Sequence, residues 1–229
     1  MRQTGSNKNS RPVVYENYLP GATETYLFYS MKHLRFTSFL TSNADFEQHY
    51  IEKLASQCML RTVVKDEYLL REGEECKHVF FVEKGLLRQY YLDDNGKEHT
   101  IQFAPENWLI SDRDSLFFQQ GAQYFIQAVE ASEVLMIEQT LILNLAKKDE
   151  GFHEFNHRLL HNHIRQLQKR IRLLLSATAE ERYLDFTATY PDLMLRLPQT
   201  MVASYLGIAP ESLSRVRKSL AEKNQRRFS

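Results

Sequence analysis

The chain has 229 residues, 43% hydrophobic and 25% charged, enough for one large domain or two small ones around an ordinary core. Basic and acidic residues balance at 29 each, so any affinity for nucleic acid has to come from local segregation of charge. Apolar runs fall short of the roughly 18 residues of a membrane span, no secretory leader is recognisable, and two isolated cysteines, Cys58 and Cys76, argue for a reducing cytoplasm and against a disulfide or zinc-ribbon scaffold.

Residues 1–30 mix Asn, Ser, Pro and Gly without apolar periodicity and read as an extension, a candidate for disorder. Met31 opens the patterned part of the chain. Phe46, Tyr50, Ile51 and Leu54 recur at helical spacing and predict a short helix over 46–60. From Arg61 to Glu138 the period changes to two. Short runs such as Val79-Phe80-Phe81-Val82, Tyr90-Tyr91 and Ile101-Gln102-Phe103 alternate with turns at Gly73, Gly85 and Asn95-Gly96. With later strands near Tyr124 to Val129 and Val134 to Ile137, about eight strands are expected, as in an antiparallel barrel or jelly roll. Trp108, Phe103, Phe117 and Phe118 are expected to fill its core.

Beyond Glu138 the β pattern vanishes. Leu141 to Leu145 predicts a short helix, and 151–176 a long one. In the long helix Leu160, Ile164, Leu167, Ile171 and Leu174 step by 4, 3, 4 and 3, the heptad spacing of a dimer seam. Continued backwards, those steps land on His157 and His153. With His161 they form an i, i+4, i+8 stripe, a weak metal motif whose plainer reading is polar residues at a helix end.

Residues Leu197 to Leu220 read LPQTMVASYLGIAPESLSRVRKSL. Val202, Ala203 and Leu206 give one apolar face, Gly207 a sharp corner, and Leu213, Val216 and Leu220 a second face after Pro210. This is a helix-turn-helix pattern. Glu211, Ser212, Ser214, Arg215 and Lys218 face outward on the second helix; Arg215 and Glu211 suit base edges, and Arg217 and Lys218 suit phosphates, as do Gln199, Thr200 and Ser204 on the first helix. From Gln199 to the end, six basic residues face only two acidic ones, so the positive charge gathers on this motif.

Taken together, the glycine-punctuated β segment, the heptad helix and GIAPESLSRVRKSL resemble the cAMP-receptor/FNR (Crp/Fnr) family of bacterial regulators over roughly residues 33–223. The resemblance implies an α+β chain with four zones: the extension 1–30, a cyclic-nucleotide-binding-like β-roll (a double-stranded β-helix) over 31–150, a dimerisation helix over 151–176, and a winged-helix-like DNA-binding domain over 177–229. It implies a cytoplasmic, non-enzymatic homodimer that regulates transcription, with double-stranded DNA carrying a near-palindromic site as partner and RNA polymerase as a further one. A terminal β-hairpin wing is not expected from Asn224 to Ser229.

Nucleotide-binding members hold the cyclic phosphate with a Gly-Glu-Leu-type turn and an Arg-Ser or Arg-Thr pair. Here Ser111-Asp112-Arg113 and Gln123-Tyr124-Phe125 stand in those places, so cAMP is not expected to bind. Ser111, Arg113 and Tyr124 are the candidate lining of any effector pocket. The cysteine cluster of an FNR-type iron–sulfur centre is missing, and the effector stays open. Two other readings compete: a β-roll module sensing a small molecule, a metal or haem and acting through protein partners, and a cupin-like enzyme. The second lacks the required His-x-His pair on a strand, since His78 and His99 stand alone.

Overall fold

The computed structural model describes residues 34–228, so the predicted extension over 1–30 lies outside the described residues. Helices α1 (Leu34–Asn43) and α2 (Gln48–Ser56) precede strands β1 (Met59–Val63), β2 (Tyr68–Leu70), β3 (His78–Lys84), β4 (Leu87–Leu92), β5 (Glu98–Ala104) and β6 (Leu109–Ile110). Helix α3 (Arg113–Phe118), β7 (Phe125–Ala128) and β8 (Ser132–Glu138) close the β part. Helices α4 (Gln139–Lys148), α5 (Glu150–Ser176), α6 (Ala179–Thr189), α7 (Gln199–Leu206) and α8 (Pro210–Phe228) follow.

The strands form two antiparallel four-stranded sheets in the orders β1-β8-β3-β6 and β2-β7-β4-β5. Phe80, Val82, Leu87, Ile126, Val134 and Leu135 are buried in the roll. At the Asn95-Gly96 turn, the Asp93 carboxylate accepts the N–H groups of Asn95 and Lys97, and Gly96 takes a positive φ. The predicted helix over 46–60 is shorter than its periodicity implies. It stops at Ser56 because Met59 and Leu60 are drawn into β1, paired with Met136 and Leu135. Helix α1 covers the outside of the first sheet, with Phe36 and Phe39 against Phe81 at 5.1 and 5.3 Å between ring centres. The buried Glu83 carboxylate accepts the N–H groups of Arg35 and Phe36 in its first turn.

Strand β5 is an edge strand, and the C-terminal helices cover it. The Ser204 hydroxyl of α7 accepts the Thr100 N–H at 2.9 Å and donates to the Glu98 carbonyl at 2.9 Å. Arg170 of α5 donates to the carbonyls of Thr100 and Tyr205 while its guanidinium lies 3.7 Å from the centre of the Tyr205 ring. Polar groups that would otherwise be bare along a sheet edge are thereby satisfied. Beside them one apolar cluster joins Leu86, Phe103 and Val129 of the roll to Phe186, Tyr190, Leu193 and Leu206. Phe103 therefore fills the junction, not the roll. Trp108 also sits at this boundary, 5.3 Å from Tyr190, whereas Phe117 and Phe118 are exposed on the short α3. The expectation that these four aromatics fill the β core is corrected accordingly: a six-residue helix has too few turns to bury every apolar side chain it carries.

Arg196 locks the junction. Its guanidinium donates to both Glu106 and Glu130, and this double pairing raises its pKa well above the ordinary arginine value. Replacing Arg196 with Met leaves two half-buried carboxylates facing one another and should cost about 1–3 kcal/mol, below the fully buried figure because water still reaches the site. Urea unfolding checks this. An unchanged midpoint, with no faster proteolysis at the 177–178 link, refutes the clamp.

Candidate nucleic-acid interface and effector site

Helix α7 begins at Gln199 with Pro198 as its N-cap, one residue earlier in role than its predicted place in the first turn. Val202, Ala203 and Leu206 are buried. Gly207 ends the helix at φ +65°, its N–H on the Ser204 carbonyl and that of Ile208 on the Ala203 carbonyl. Helix α8 then starts at Pro210, with Glu211 in its first turn and Leu213 fully buried beneath it.

This packing leaves a continuous outer face. Glu211, Ser214, Arg215, Arg217 and Lys218 are exposed and Ser212 is half-buried. Among the described residues, no acidic side chain pairs with Arg215, Arg217 or Lys218. Lys223, farther along, is held by both carboxylate oxygens of Glu180. Gln199 and Thr200 are exposed on the first helix. Ser204 is a correction: both of its hydrogen-bonding roles are spent on β5, so it is not available to a phosphate.

The long helix presents two faces. Phe152 and Phe155 are buried against the roll, with Leu159, His163 and Arg170 half-buried further along. Ile164, Leu167, Ile171 and Leu174 are 47%, 38%, 56% and 42% exposed, although Leu160 is half-covered. The heptad steps thus fall on an apolar row that a single chain leaves open. The histidine stripe is exposed too, with the Nε2 atoms of His157 and His161 3.1 Å apart. Among the described residues, no group of three His, Cys, Asp or Glu side chains is placed to hold a metal ion.

A family model described as a cyclic nucleotide-binding domain matches residues 60–149. The transcriptional activator protein anr of Pseudomonas aeruginosa is 27% identical over 169 residues, 68% of either chain. The fumarate and nitrate reduction regulatory protein of Vibrio cholerae is 25% identical over 68% of this chain and 66% of its own. The chain thus spans about two thirds of the length of the curated relatives it matches. Among solved structures, FixK2 from Bradyrhizobium japonicum superposes with a TM-score of 0.65 at 20% identity, covering 73% of this chain and 86% of FixK2. A CooA mutant from Carboxydothermus hydrogenoformans gives 0.59 at 19% identity, over 73% and 78%. The chain is similar to regulators of the cAMP-receptor/FNR family.

Against that family's pattern, the turn after β6 is closed by the chain's own acid. Asp112 is wholly buried; one carboxylate oxygen accepts the N–H groups of Asp114 and Ser115, the other those of Gln123 and Tyr124. Four backbone donors that converge on one anion are already occupied. The three candidate effector residues do not converge. Ser111 and Arg113 line a crevice toward α5, whereas the Tyr124 ring meets Tyr91 edge-on at 6.5 Å. Tyr124 is therefore withdrawn from that lining. Asp112 itself carried no sequence signal beyond its place in the turn.

The two thiols are inert by environment. Both are buried, and desolvation pushes Cys58 up to about 12 and raises Cys76. Truncating Asp112 to Ala removes the shared acceptor of four backbone N–H groups, that of Ser115 buried and the others partly so, and should cost about 1–3 kcal/mol of stability. Thermal or urea melts read that loss; a variant as stable as the parent shows that the turn does not depend on the carboxylate.

Proposed function

We propose that this protein is a cytoplasmic, non-enzymatic, homodimeric regulator of transcription that reads a near-palindromic site in double-stranded DNA, with RNA polymerase as a further partner at the promoter. One observation carries the reading: α8 stands outermost on a helix-turn-helix with Arg215, Arg217 and Lys218 exposed and without an acidic partner among the described residues. A guanidinium in that position can fork onto a guanine edge, and its neighbours can meet phosphates. The names of the relatives, an activator and a regulatory protein, support the same conclusion.

The open seam of α5 supports the dimer. Two copies joined along it set two recognition helices about one duplex turn, roughly 34 Å, apart, which is why the site should have two similar halves. Cyclic nucleotides are not part of the proposal, because Asp112 fills the donors that would take their phosphate.

DNA from the chain's own upstream region, followed by fluorescence anisotropy at several salt concentrations, tests the proposal. Arg215→Ala should weaken binding by about 1–3 kcal/mol and relax the preference at one base pair. Lys218→Gln should weaken all sequences alike and reduce the salt slope by about one. Equal affinity for the natural and a scrambled duplex removes the proposal. Sedimentation velocity examines the seam separately: Ile171→Asp should turn a dimer into a monomer, and a variant that sediments as a dimer places the interface elsewhere.

A further inference from the structure

The histidine stripe on α5 plays no part in reading DNA, yet its members are not placed at random. His153, His157 and His161 are all exposed, one turn apart along the helix. The rings of His153 and His157 stack at 6.2 Å between centres. Those of His157 and His161 stand edge to face, 4.3 Å between centres, and bring their Nε2 atoms to 3.1 Å. Exposed imidazoles have water to bond to, so packing does not require two of their nitrogens to converge. Two imidazole nitrogens that share one zinc ion, each about 2.0–2.1 Å from it, stand about 3 Å apart. The spacing of the pair is that of a two-ligand clip.

Joined by a hydrogen bond, one ring of the pair donates its Nε2–H to the other. Moving that hydrogen to Nδ1 turns both Nε2 lone pairs toward a cation with no net loss of a proton. The surroundings suit a positive ion. Glu154, one turn before His157, is exposed, and Arg158, beside His157 in sequence, is turned onto the Asn43 carbonyl. Arg165, one turn past His161, is exposed and screened by water.

One chain supplies two ligands where zinc takes four, and among the described residues no third His, Cys, Asp or Glu side chain is placed to join them. The register of the helix indicates the source of the rest. Stepping back from Ile164 and Leu160 reaches His157 on the line of the apolar row, and His161 lies beside Leu160 on its flank. In two copies aligned in parallel along that line, like positions face each other across the axis, which brings one histidine pair to the other. We infer that His157 and His161 clip a divalent transition metal, with zinc the best match to the ligand type, and that two copies share one ion through four imidazoles. The shared ion rests on the homodimer reading above. It would clamp the end of the row where leucine and isoleucine give way to histidine, away from the end at which Arg170 and Leu174 meet the head.

Full-length protein is stripped with EDTA, moved to metal-free buffer at neutral pH and titrated with zinc chloride. Equilibrium dialysis measures the bound zinc, and sedimentation velocity the association of the chains. Uptake of one ion for every two chains is expected, and zinc in about tenfold excess over its dissociation constant should tighten association about tenfold. The double variant His157→Ala, His161→Ala should lose both effects; the two side chains are exposed, so folding does not depend on them. Ile171→Asp, which keeps both histidines but opens the apolar row, should take up zinc at least about tenfold more weakly, because only two ligands remain. A wild-type dimer that binds no more zinc than the double variant, or that binds one ion per chain with unchanged association, overturns the shared site and leaves the homodimer standing. A chain that is monomeric with and without zinc defeats the homodimer reading, and the shared ion with it.

Discussion

The architecture turns on how the free edge of a sheet is covered. A roll built from two four-stranded sheets leaves β5 with unpaired backbone groups, and the C-terminal head supplies the partners: the Ser204 hydroxyl, the Arg170 guanidinium and a layer of aromatic rings. Polar edge and apolar cluster act together, since either alone would leave buried groups unsatisfied or ring faces wet. The Arg196 fork then fixes the approach of the head by gripping Glu106 and Glu130, two roll residues far apart in sequence. One head surface is thus used up in docking, and the opposite one, on α8, is left to meet a partner.

Charge follows the same division. The chain is neutral overall, yet at the junction Arg196 is matched by Glu106 and Glu130, while on the outer face of α8 Arg215, Arg217 and Lys218 have no acidic partner among the described residues. Desolvated pairs fix geometry, and solvated charges remain available to long-range attraction by a polyanion. In the roll, Asp112 performs the opposite service. It brings an anion into a ring of N–H donors, making a closed structural turn after β6.

Much of this was legible in the residues because it rests on periodicity and on glycine. The two-residue alternation located the strands, the 4-3 steps fell on the exposed apolar row of α5, and Gly207 at its positive φ marked the corner before α8. What escaped depends on contacts between distant segments. Nothing local distinguishes Ser204, pointing at β5 across a hundred residues, from Thr200, pointing at solvent. Trp108 and Phe103 looked like core residues, and they are, but of a core shared between the roll and the head. Tyr124 and Arg113 stood in two segments expected to line one pocket, yet Arg113 lines the crevice beside α5 whereas the Tyr124 ring packs against Tyr91.

The seam on α5 is short. Its apolar rungs run from Leu160 to Leu174, about 21 Å of a 27-residue helix, and histidines take over the register toward the N-terminal end. The proposed pairing would have five layers of leucine and isoleucine to work with. In the proposed homodimer, a reversible pairing along this row would make the concentration of assembled protein rise with nearly the square of the amount synthesised when little is made. Output governed by such a chain would respond more steeply to its own dosage than a permanently joined pair allows.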